Sequence, residues 1–150
     1  DKYHVPRIAF VNKMDRVGAD FLNCITEIRK KLGKKANAIQ MPVGVEENFV
    51  GLIDLITLKK YTWAGSDLGQ KFDVIDLEGD ELAEAKLYRD ELIEALADFD
   101  DKLADDYLNG KEISAEVMEV AIRKATIVDG FIPVLCGSAF KNKGVQTLLD

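Results

Sequence analysis

The sequence predicts an α/β fold in which two apolar strands, expected to pair in parallel, flank a long middle segment. Three observations support it. The apolar run Ile8-Ala9-Phe10-Val11 passes at once into the polar tetrad Asn12-Lys13-Met14-Asp15. A second run, Phe131-Ile132-Pro133-Val134-Leu135-Cys136, passes into a loop beginning Gly137-Ser138-Ala139-Phe140. Between them lies a segment that reads first as closely spaced strands and then as helices. Short apolar runs closed by polar loops read as buried strands. Open α/β sheets bind ligands at the carboxyl ends of such strands, which is where both loops fall.

Taken in order, residues 1–37 read as strand, loop and helix. Asp20 is a helix N-cap, Phe21, Ile25, Ile28 and Leu32 recur at helical spacing, and Gly33 is the stop. Arg29, Lys30 and Lys31 suit the negative end of that helix dipole. His4 precedes the first strand and reads as a surface residue. Residues 38–128 form the middle segment. Its first half holds strands near 39–45, 49–54, 57–63 and 72–76, parted by turns at Glu47-Asn48 and Gly65-Ser66-Asp67. Strands so closely spaced favour a small antiparallel sheet. The second half is helical. Asp80 caps a helix with Leu82, Ala85, Leu92, Leu96 and Phe99 on one face. A short helix over 101–108 ends at Asn109-Gly110, and Ser114 caps a third with Val117, Val120, Ala121, Ala125 and Val128 inward. Residues 129–150 return to the main sheet, where the second apolar run should pair in parallel with residues 8–11.

Composition narrows the classes. At 150 residues and 47% hydrophobic the chain can bury a core. No apolar stretch reaches membrane-spanning length and no signal peptide opens the chain, which fits a soluble cytoplasmic protein. Cys24 and Cys136 lack metal-ligand spacing and read as reduced core thiols. The net charge of -7 argues against direct, non-specific nucleic-acid binding. That charge is concentrated: residues 78–119 hold fifteen Asp/Glu against four Lys/Arg, a balance of -11. Such a run is either a solvated helical surface or a docking face for a basic partner.

The tetrad carries chemistry. Asn-Lys-x-Asp is the residue pattern of a guanine reader. Guanine's edge offers a ring N–H and an exocyclic amine side by side, and the acceptor-only carboxylate of Asp15 can take both. Adenine presents a ring acceptor there and would leave the carboxylate unpaired. The Asn12 amide can bond the ring and tie neighbouring loops, the Lys13 stem can lie over the base face, and Met14 is a spacer turned toward the core. The competing reading is a solvated turn, since Asn and Asp both favour turns. Phe140 is placed either over the base face opposite Lys13 or in the core as an ordinary phenylalanine.

Two stretches, VPRIAFVNKMDR over 5–16 and GSAFKNKGVQ over 137–146, resemble the elongation factor G family of translational GTPases. The resemblance is close at both ends and looser in the middle. It implies a partial P-loop GTPase sheet with an inserted α+β G-prime subdomain at residues 38–128. It implies that Asn12, Lys13 and Asp15 form one guanine motif, and Ser138, Ala139 and Phe140 the next, with the Ala139 N–H aimed at the base's carbonyl oxygen. GTP and GDP are the implied ligands, and the ribosome with its stalk protein the implied partners. Of the acidic residues, Glu84, Glu91, Glu94 and Asp98 are the expected stalk-contact surface.

The departures from the family pattern are equally plain. No G-x-x-x-x-G-K-[ST] phosphate loop and no Asp-x-x-Gly motif before the first strand occur. The expectation is therefore a piece of a GTPase, inactive alone, whose magnesium ligands lie elsewhere in the parent. A piece of this kind should leave the strand at 8–11 with an unpaired edge. Ile8, Phe10, Val134 and Cys136 would then lose part of their cover, and either self-association through that edge or local disorder at the two termini would follow. Two alternatives remain open: an acidic protein-interaction module, or a related ribosome-protection or recycling GTPase.

Overall fold

Two sheets divide the chain. The computed structural model describes residues 3–33, 35–64 and 69–150, so the turn read at Gly65-Ser66-Asp67 lies outside the described residues. In chain order the strands are β1 (Ala9–Val11), β2 (Lys35–Ala38), β3 (Gln40–Val43), β4 (Gly51–Asp54), β5 (Lys59–Thr62), β6 (Asp73–Asp76) and β7 (Phe131–Cys136). The helices are α1 (Phe21–Leu32), α2 (Gly79–Ala97), α3 (Asp101–Leu108), α4 (Ala115–Ile127) and α5 (Val145–Leu149).

The first sheet has the order β1-β7-β2 and is parallel throughout. Ala9 pairs with Val134 and Val11 with Cys136, while Lys35 pairs with Phe131 on the other side. All six residues of β7 are buried. A central parallel strand is covered on both faces, which is why it reads as an unbroken apolar run. Its side chains alternate between two cores. Phe131 packs among Leu92, Leu96, Leu103 and Met118 of the inserted helices. Ile132, Val134 and Cys136 pack with Phe21 and Ile25 of α1 and with Met14 and Phe49. The expected loss of cover therefore does not reach Val134 and Cys136, which α1 and the core around Phe49 enclose. Ile8, by contrast, is exposed and Phe10 half-buried.

The second sheet is antiparallel, β3-β4-β5-β6. Its strands match the spacing read from the sequence, with one revision. The run expected at 39–45 begins only at Gln40, and the residues before it form β2, a strand of the other sheet. At the junction the Ile39 N–H donates to the Val134 carbonyl and the Leu55 N–H to the Ile39 carbonyl, both at 3.0 Å, so one residue links the two sheets.

Helix ends follow capping chemistry. Asp20 accepts the Asn23 N–H at 3.0 Å, Gly33 closes α1 at φ 62, and Ser114 accepts the Val117 N–H at 3.3 Å. Asp80 does not cap α2: the N-cap is Glu78, without a side-chain bond, and Asp80 lies in the first turn. Three residues placed on the apolar faces are exposed: Leu32 in the last turn of α1, Val120 on the outer side of α4, and Val128 just past its end. Met118 and Ile122 fill the α4 core positions instead.

Two polar groups tie α2, α3 and α4 to their neighbours. Arg89 on α2 donates to the carbonyls of Leu55 at 2.9 Å, Ile56 at 3.2 Å and Ile113 at 2.8 Å, joining sheet, helix and the segment before α4. Asp100 is buried, accepts the Leu103 N–H at 3.1 Å as the α3 N-cap, and pairs with Lys124 of α4 at 2.7 Å. The Lys124 bond, aided by the cap, holds its carboxyl below the ordinary 3.8 against the cost of burial. A carboxyl lowered on folding stabilises above its unfolded pKa, and this stability is lost as pH falls through the folded value. Asp100→Ala should cost about 1–2 kcal/mol at neutral pH, in the range of a lost N-cap. Denaturant melts at pH 7 and pH 3 check it, and the wild type and variant should converge toward the acid end.

Candidate functional site

The parallel register of β1 and β7 sets the two candidate loops side by side, because Val11 and Cys136 are partners and each loop starts one residue later. Backbone bonds continue the pairing past the strand ends. The Gly137 N–H donates to the Val11 carbonyl at 3.0 Å, and the Met14 N–H to the Gly137 carbonyl at 3.1 Å. Met14 is buried against Phe21 and Ile25, so the spacer pins the tetrad to the core as its apolar character predicts.

Lys13 adopts φ 61, a left-handed conformation that costs a non-glycine residue on the order of 1 kcal/mol. Asn12 offsets it: its Oδ1 accepts the Lys13 N–H at 2.7 Å. The same oxygen accepts the Ala139 N–H from the second loop at 2.9 Å. With Oδ1 holding two donors, the Nδ2 amine is the part of Asn12 left to donate elsewhere. The Ala139 N–H, read from the sequence as a donor to a base, is engaged by Asn12 in this structure.

The second loop is shaped by glycine and by a short ladder. A Cβ at Gly137 would lie 2.3 Å from the Lys143 carbonyl oxygen and 2.8 Å from the Phe10 ring, so no side chain fits there. Ser138 and Lys143 exchange backbone bonds at 2.9 and 3.0 Å, and the Asn142 N–H donates to the Ala139 carbonyl at 3.0 Å. The tight turn projects Phe140, which is 91% exposed. The core reading of Phe140 is thereby excluded. Lys13 is exposed as well.

Asp15 is held between both loops. Its side chain is 12% exposed and Lys141 Nζ lies 3.3 Å from Oδ2. The Ser138 side-chain hydrogen bond, joined by Lys141, keeps the carboxyl below its ordinary range despite partial burial. The result is a fixed, ionised acceptor at neutral pH. Sequence reasoning had no role for Lys141; the available signal was a lysine three residues beyond Ser138, in the loop facing the tetrad. One carboxylate beside an ammonium does not fit a divalent cation. Among the described residues no group of three or more His, Cys, Asp or Glu could hold a metal ion.

The four acidic candidates are not brought to these loops. Glu84, Glu91 and Glu94 are exposed along α2, on a stripe that also carries the exposed Leu87. Asp98, at the C-cap, is bonded to Lys35 of β2, so its charge is already matched. No described helix is long and apolar enough to cross a membrane.

The family model described as the elongation factor Tu GTP binding domain matches residues 1–150. Elongation factor G of Neorickettsia sennetsu is 51% identical over 150 residues, which is all of this chain and 22% of that protein. The chain thus spans about a fifth of the length of this curated relative. A crystal structure of a Thermus thermophilus protein superposes with a TM-score of 0.80 at 28% identity, over 99% of this chain and 22% of the other.

Proposed function

This chain belongs to the elongation factor Tu GTP-binding domain family, and on that premise we propose that it reads the guanine base of GTP and GDP within a translation elongation GTPase of the elongation factor G type. The observation that carries the reading is the single Asn12 oxygen that binds the amides of Lys13 and Ala139 together. This tie brings the Asp15 carboxylate, the Asn12 amine and the Ala139 N–H onto one small edge. Asp15 accepts the ring N–H and exocyclic amine of guanine, using lone pairs that Ser138 and Lys141 leave free. Asn12 Nδ2 donates to the ring. The Ala139 N–H turns from Asn12 toward the base's carbonyl, where adenine offers only an amine. Lys13 and Phe140, both exposed, cover the two faces.

Residues 38–128 serve as a G-prime subdomain that docks the ribosomal stalk protein in the cytoplasm. Glu84, Glu91 and Glu94 supply the attracting charge, and Asp98 contributes least because Lys35 already neutralises it. GTP hydrolysis on the ribosome is the activity of the full-length protein, with magnesium held by residues other than those of the Asp15 site.

Tight nucleotide binding draws on phosphate contacts, and this sequence carries no phosphate loop. The chain should therefore bind GDP weakly, in the micromolar range or above, and turn over no GTP. Calorimetry and amide shifts measure this. GDP should move the Lys13 and Ala139 amides and ADP should not. Submicromolar affinity, or an equal response to ADP, contradicts the reading.

A further inference from the structure

The outer edge of β6 is an unused strand template. All four of its residues are exposed, on both faces of the strand. Val74 at 48% and Ile75 at 50% are half in solvent, and Phe72, just before them, is also exposed. The strand pairs with β5 on one side only, and among the described residues its backbone makes no hydrogen bond on the other. An edge with two exposed aliphatic residues is a site for strand addition unless it is blocked.

Charge decides what can add. Asp73 and Asp76 bracket Val74 and Ile75, and Glu78 and Asp80 follow. A second copy pairing antiparallel about the strand centre would set Asp73 against Asp76 twice, and like charges placed opposite each other are destabilising. The strand is thus protected against its own kind. Its inner neighbour displays the matching chemistry: Lys59 is the register partner of Asp76, with Nζ 3.4 Å from Oδ1. Asp76 nonetheless remains 83% exposed and can meet another cation on its outer side.

We propose that β6 docks an extended peptide segment of a partner protein by adding it as a fifth strand, and that it selects the order basic, apolar, apolar, basic. The outer pairs set basic residues against Asp73 and Asp76, and the inner pairs cover Val74 and Ile75. This surface is separate from the base-reading loops and does not depend on them.

The test is a fluorescent peptide with the core Lys-Val-Ile-Lys, titrated into this chain at low salt. It should bind and slow amide exchange at residues 73–76. A peptide with the core Asp-Val-Ile-Asp should bind about tenfold more weakly, two cross-strand charge pairs having changed sign. An N-methylated Lys-Val-Ile-Lys peptide, which cannot form the ladder, should not bind. The double variant Asp73→Asn/Asp76→Asn, at exposed positions, should keep its circular dichroism and bind the two charged peptides alike. No binding, equal affinity of the wild-type chain for both charged peptides, protection outside β6, or self-association of the wild-type chain through β6 would each overturn the proposal.

Discussion

Asp15→Asn is expected to lower GTP affinity by about five- to a hundredfold and to transfer that preference to XTP. The substitution turns one acceptor into a donor facing guanine's amine, an unsatisfied polar contact worth about 1–3 kcal/mol. Xanthine carries a carbonyl where guanine has the amine, so the new donor finds a partner. The measurement belongs in a protein carrying this chain at the full length of its relatives, where phosphate contacts bring both affinities into range. The variant also weakens the Lys141 pair at a side chain that is only 12% exposed, so a thermal melt beside the wild type checks that the loops stay folded. A variant that keeps its original margin for GTP over XTP would remove Asp15 from the role of base reader.

Arg89→Leu should be strongly damaging to the packing of the antiparallel sheet against α2. Leucine covers the apolar part of the arginine stem but strands the carbonyls of Leu55, Ile56 and Ile113. Burial pulls the guanidinium pKa down, against nearby Asp90, Glu112 and Asp54, which support the charge. Losing three bonds to one partly buried cation should cost about 3–5 kcal/mol. For a chain of this size that is a fall of roughly 10 °C in the thermal midpoint. Arg89→Lys, with a point charge in place of a fork, should recover only part of it. A loss below about 1 kcal/mol for the leucine variant would mean that water satisfies the carbonyls and no clamp exists.

The two loops that follow β1 and β7 were legible because their pattern is local. A strand end, a polar tetrad and a glycine can be seen in a few consecutive residues, and so can the caps Asp20 and Ser114. What escaped depends on partners far along the chain. The sequence Lys-Ala-Asn-Ala at β2 has no strand signature, with one small side chain fully buried; it is a strand because β7 offers it a ladder. Val120 and Val128 fit the helical period, but the period says which residues share a face and not how far around the helix the core extends. Lys141 gains meaning only once the two loops are adjacent. The Ala139 amide was assigned outward from the sequence, whereas in the structure it donates to Asn12 of the facing loop.

The pairing of β1 with β7 also sets a schedule. Its register partners, Ala9 and Val134, stand roughly 125 residues apart, so at about 5–20 residues per second β1 leaves the ribosome some 6–25 s before the strand that completes it. The antiparallel sheet and α2 are made in that interval from neighbouring segments and can form at once. The edge formed by the loops after β1 and β7 therefore cannot assemble until β7 has been made. Until β7 arrives, Ile8 to Val11 is an exposed apolar segment for a chaperone to hold.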